Sequence, residues 1–145
     1  IDITGKHMVF ASNDDHELLG NPSWVVSEKD KKDYVDAGNS VLDMVAHDVT
    51  FDNAVLVLID KKVDLSKEEA GENFYFDKKD NVFVEHKKEK INFNGKELIC
   101  ISKVETKDDK SKYYERYIIM PCGEYTAAIG AMGSDEEFVK KALSE

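Results

Sequence analysis

Between Val82 and Met132 the apolar and polar positions fall into four extended runs, 82–93, 96–105, 112–121 and 124–132, separated by turns marked by Gly or Asp. Asn94-Gly95 is the sharpest of these breaks, because Asn-Gly supplies the two positive-φ positions that a type I′ hairpin requires. A two-residue turn there sets Phe93 opposite Lys96 and Ile91 opposite Leu98. The charged loop 107–111 and the turn Pro121-Cys122-Gly123-Glu124 join the remaining runs, so the segment reads as a consecutive antiparallel meander.

The N-terminal half repeats the strand pattern in shorter pieces. His7–Ser12, Trp24–Ser27, Val41–Asp48 and Ala54–Ile59 are predicted strands, the second carrying the only tryptophan as a core anchor. The run 54–59 is apolar at every position, which predicts the most buried strand, covered on both faces. Glu28 to Asn39 is mixed in charge and reads as a solvated connection. Two capping-box patterns predict helices: Ser66 with Glu69 for a helix running toward Lys79, and Ser134 with Glu137 for a terminal helix presenting Phe138, Val139, Ala142 and Leu143. Four strands, a helix, a meander and a last helix make an α+β domain with a mainly antiparallel sheet, one domain over 1–145.

Charge then narrows the partners. A formal net charge of -10 repels phosphate backbones and anionic lipid, which disfavours nucleic acid and favours a basic protein partner. With 41% hydrophobic and 34% charged residues the chain can fill a core, and no apolar run reaches the ~20 residues of a membrane span. The chain begins at Ile1, and two readings stay open. Either a signal or lipoprotein leader was removed upstream, which implies export, or 1–7 is an appended leader and Met8 the native start, which implies cytoplasm.

Candidate chemistry is sparse. No Gly-x-Ser-x-Gly elbow or phosphate-binding Gly-rich loop occurs, and His7, His16, His47 and His86 have no metal spacing, so neither a catalytic residue, a cofactor nor a metal is expected. Asn13–Glu17 offers oxygen ligands without the spacing of a calcium loop and reads as a solvated turn. His47-Asp48 would form an oriented base only if both side chains met, yet strand neighbours point to opposite faces. Centring the second hairpin on Asp108-Asp109 puts Cys100 opposite Tyr117 and leaves Cys100 and Cys122 as two thiols; a disulfide would need another register. Tyr113, Tyr114 and Tyr117 are candidate partner-binding residues, Tyr113 and Tyr117 on one face and Tyr114 on the other, with cross-strand packing as the competing role.

Several of these pieces occur together in one known family. A short first strand, Pro22-Ser23-Trp24, an apolar strand followed by Leu65–Glu69, the segment Ile91–Glu97 with its Asn-Gly-Lys-Glu, a Tyr-rich strand and a final helix resemble the PsbP/DcrB-like superfamily. That resemblance implies a three-layer α/β/α sandwich and a non-catalytic binding or accessory role, here in an exported bacterial lipoprotein of the cell envelope, attached to membrane only through a lipid anchor. Two other readings stand beside it. One is a cytoplasmic protein that neutralises or chaperones a secreted toxin by binding a basic partner; the other is a hydrolase assembled from dispersed residues.

Overall fold

The computed structural model of the chain describes residues 8–12, 28–48 and 52–143. The predicted strand at Trp24 and the polar cluster Asn13–Glu17 lie outside these residues. The described elements are β1 (Met8–Ser12), α1 (Glu28–Asp36), β2 (Val41–Asp48), β3 (Asn53–Lys61), a short 3₁₀ turn (Leu65–Lys67), β4 (Gly71–Asp77), β5 (Val82–Phe93), β6 (Lys96–Lys107), β7 (Lys112–Cys122), β8 (Tyr125–Gly133) and α2 (Glu136–Ala142). All eight strands form one antiparallel sheet in the order β1-β2-β3-β8-β7-β6-β5-β4.

The meander forms as the hydrophobic pattern predicts. Asn94 and Gly95 turn at φ 50 and 78, and Phe93 faces Lys96 while Ile91 faces Leu98. The next hairpin corrects the expected register by one residue. Lys110 adopts φ 69 and its N–H donates to the Lys107 carbonyl, so the loop takes three residues. Cys100 therefore pairs with Ile118, and Tyr117 with Ile101. A slip of one residue exchanges faces, so Cys100 and Tyr117 end on opposite sides of the sheet. The last strand of the meander then pairs with β3, and Asn53 lies opposite Gly133.

Three local expectations are overturned. Residues 28–36 are helix α1, not a solvated connection, because Val35 is 1% exposed and Lys31 reaches Asp43 on β2 at 2.5 Å. An i,i+4 pair, Lys32 to Asp36 at 2.6 Å, adds a small increment on the exposed side. The helix expected from Ser66 toward Lys79 is absent. Asp64, not Ser66, caps the 3₁₀ turn, its Oδ1 accepting from the Ser66 N–H and Oγ. The chain then extends as β4, because Phe74, Tyr75 and Phe76 favour a pleated strand beside β5. At α2 the cap is Asp135, whose Oδ1 accepts from the Phe138 N–H at 3.1 Å, while Ser134 donates to Asp52.

Alternation along the strands sorts the core into two faces. On one, Val55, Leu98, Cys100, Ile118 and Ala131 pack beneath Phe138, Val139, Ala142 and Leu143 at the C-terminal end. Full burial of a side chain such as Phe138 stabilises by about 1.5–3 kcal/mol, which anchors a helix too short to persist alone. Helix α1 meets the same face, since Lys31, Lys32 and Val35 surround a hollow with Ile59, Cys122 and Tyr125. We call this the helix face.

The opposite face carries Leu42, Val45 and Leu56 with Ala54, Leu58, Tyr117 and Met132. The connection from β3 to β4 crosses it: the Val63 N–H donates to Thr126 Oγ1 at 2.8 Å, and Val63 and Leu65 overlie Ile99, Ile101 and Ile119. Both faces of β3 thus join a core, as its apolar run predicts, although β8 is buried at more positions. The coarse α+β expectation holds. The three-layer α/β/α arrangement is not shown, because among the described residues both α-helices lie on the helix face.

Candidate functional site

The feature that packing leaves unexplained is the outer edge of the sheet. Among the described residues β4 has a neighbour on one side only, β5, so every second residue turns its backbone N–H and C=O outward. Phe74 is 57% exposed, Phe76 52%, Tyr75 43% and Phe83 43%. Phe76 faces Phe83 across the pair, and Phe74 faces Glu85. Strand alternation puts Glu72, Phe74 and Phe76 on the helix face and Asn73 and Tyr75 on the other.

Exposed edges are normally blunted by charged side chains, lysine above all, by proline, a bulge or a covering segment, and on β4 the charges stand at Glu72 and Asp77, on either side of the aromatics. β4 runs seven residues, Gly71-Glu72-Asn73-Phe74-Tyr75-Phe76-Asp77, with no lysine or proline and an unbroken register against β5. Its far end is fixed by an Asx-type turn, in which Asp77 Oδ1 accepts from the Lys79 and Asp80 N–H groups. Helix α2 contacts β3, β7 and β8 and covers Leu98 and Cys100 of β6, and beyond them the helix face is open toward β4. There Glu72, Phe74, Glu85, His86, Lys87, Ser102 and Val104 line an open groove of about 330 Å³.

Its electrostatics are acidic. Glu72 and Glu85 flank Phe74, and among the described residues neither has a cation within ion-pair distance. Lys87 is committed to Glu89 at 3.1 Å, and the hydrogen bond it donates to that carboxylate holds its pKa above the ordinary lysine value, with Glu72 adding a weaker Coulombic pull. Lys88 points to the other face and pairs with Glu68 at 2.7 Å.

The tyrosines singled out from the sequence sit elsewhere. Tyr113 and Tyr117 share the face opposite the helices and Tyr114 takes the helix face, as alternation predicts. All three are half-buried. Tyr114 packs against the cluster under α2, and Tyr117 packs against the Leu42, Val45 and Leu56 cluster with its ring over Gly130. Burial, with the nearby Glu115 charge, pushes the phenols of both Tyr113 and Tyr117 above their ordinary value of 10.0. Between them and β6, Lys103 bonds Glu105 at 2.6 Å and Glu115 at 3.3 Å; burial opposes its charge, yet the two carboxylates outweigh burial and raise its pKa.

His47 is buried, and its Nδ1 lies 2.8 Å from the Asp48 main-chain oxygen. The Asp48 carboxylate accepts from the Asp52 N–H and Asn53 Nδ2, and so braces the turn into β3. Cys100 is buried, Cys122 is exposed, and both are free thiols. Among the described residues no group of three or more His, Cys, Asp or Glu is placed to hold a metal ion. Sequence reasoning missed the β4 edge because its three consecutive aromatics were assigned to a helix; their β-propensity was the available signal. Comparison of the chain with protein-family models, with curated proteins and with solved structures finds no match to any of them.

Proposed function

We propose that this domain is a non-catalytic protein-binding module that takes its partner along the free edge of β4. The supporting observation is the exposure of Phe74, Tyr75, Phe76 and Phe83 on a strand that is an edge among the described residues and has neither lysine nor proline, since a patch of aromatics beside outward backbone groups is the surface that strand addition uses. Tyr113, Tyr114 and Tyr117 remain proposed contributors at most through the neighbouring face, because their packing already accounts for much of their surface. The setting proposed for the module is the bacterial cell envelope, as an exported lipoprotein domain with the three-layer arrangement that the family resemblance carries. Partner capture in the cytoplasm, by a toxin-neutralising protein or secretion chaperone, would use the same edge.

Photo-crosslinking in the native cell tests the edge. A crosslinking residue at Phe76 is expected to yield a protein adduct that the same residue at Lys110, in the β6-β7 loop, does not. An adduct at position 110 with none at 76 would sink the reading. Mass and N-terminal analysis of the native protein separates the compartments: a lipid-modified cysteine upstream of Ile1 supports the envelope, and an N-terminus at Met8 supports the cytoplasm.

A further inference from the structure

We infer that the segment received by β4 is extended and basic, with a lysine or arginine placed between Glu72 and Glu85 over the ring of Phe74. This rests on the edge reading above and names the chemistry of the partner. A strand added to β4 alternates its side chains between the two faces, as β4 itself does. On the helix face such a strand meets Glu72, Phe74 and Phe76 in succession, with Glu85 directly behind Phe74 and Phe83 directly behind Phe76. The half near Phe76 and Phe83 is apolar. The half near Phe74 presents the Glu72 and Glu85 carboxylates around an aromatic face, with Lys87, opposite Glu72, already bonded to Glu89, a setting in which an incoming guanidinium or ammonium gains ion pairing and cation–π contact together.

The charge of the whole chain acts in the same direction. At -10 it draws a basic segment toward the edge and slows the approach of an acidic one. It also disfavours a second copy as the occupant. Two β4 strands paired antiparallel about Phe74 would bring Glu72 and Asp77 of both copies onto one short ribbon, four carboxylates with no lysine in either strand. The length of β4, seven residues, sets the span of the segment it can pair with fully.

The test uses the full chain and three capped synthetic heptapeptides. One is Thr-Lys-Val-Arg-Val-Lys-Thr, the second has Glu at each basic position, and the third is the basic peptide N-methylated at alternate residues on its pairing edge. Amide chemical shifts locate binding and their titration measures affinity. The basic peptide is expected to perturb the amides of Gly71 to Asp77, and the acidic one to bind at least about tenfold more weakly. Glu72→Gln with Glu85→Gln is expected to cut affinity for the basic peptide about tenfold and to leave the acidic one unchanged. N-methylation is expected to abolish binding.

Equal affinity for acidic and basic peptides, both on β4, would overturn the basic assignment and leave the edge reading standing. Concentration-dependent dimers with protected β4 amides would also overturn it, in favour of a second copy. Perturbation confined to residues away from β4 would remove both readings.

Discussion

Tyr117 and Gly130 fit each other so closely that neither can change alone. They are partners across β7 and β8, and a Cβ built on Gly130 would come within 2.4 Å of the Tyr117 ring. Gly130→Ala is therefore expected to destabilise the protein by about 1–3 kcal/mol in urea unfolding, and the loss should shrink when Tyr117→Ala is already present. An additive double mutant would mean that the ring does not lie on Gly130. Proton linkage gives a second check on the same region. Tyr113 and Tyr117 have folded-state pKa values above 10.0, so their contribution to stability is complete below pH 10. Above that the unfolded chain loses phenolic protons that the native state keeps, and stability falls as pH rises toward the folded values. Absorbance at 295 nm should show these two phenols ionising late, together with unfolding.

Elements whose boundaries depend on local chemistry were readable from the chain, and those that depend on distant contacts were not. Asn94-Gly95 carries its hairpin in two residues, and the register of β5 on β6 follows from it. The loop at Asp108, Asp109 and Lys110 looks equally simple but takes one residue more, because Lys110 adopts a left-handed conformation that nothing in its type announces. α1 has almost no apolar periodicity; its stability comes from docking Val35, a tertiary fact. The pattern Leu65–Glu69 has the composition of a helix start, yet three aromatics downstream gain more by pairing with β5. The candidate site was not legible, since Phe74, Tyr75 and Phe76 read as part of a helix and strand order cannot be read from one sequence.

The same distinction yields a test at α2. Because Asp135 caps the helix and Ser134 reaches only Asp52, Asp135→Ala is expected to cost about 1 kcal/mol and Ser134→Ala markedly less. Equal losses would restore Ser134 as the cap.

At the scale of the whole molecule, the sheet has a protected middle and an open end. β3, β8 and β7 are paired on both sides and covered by both cores, while β4 is paired once among the described residues and exposed. Native-state hydrogen exchange should be slowest in β8 and β3, close to global unfolding, and fastest at the outward amides of β4. Uniform protection across the sheet would contradict that gradient. The two cysteines carry the gradient into reaction time. Cys100 is 0% exposed on an interior strand, with Arg116 Nε donating to its sulfur at 3.3 Å, and Cys122 stands in the open. A thiol reagent should consume one equivalent at once and the second only as fast as the β6-β7 ladder parts. With Cys122→Ser, the colour released by the remaining thiol becomes a clock whose rate is that of opening the molecule itself.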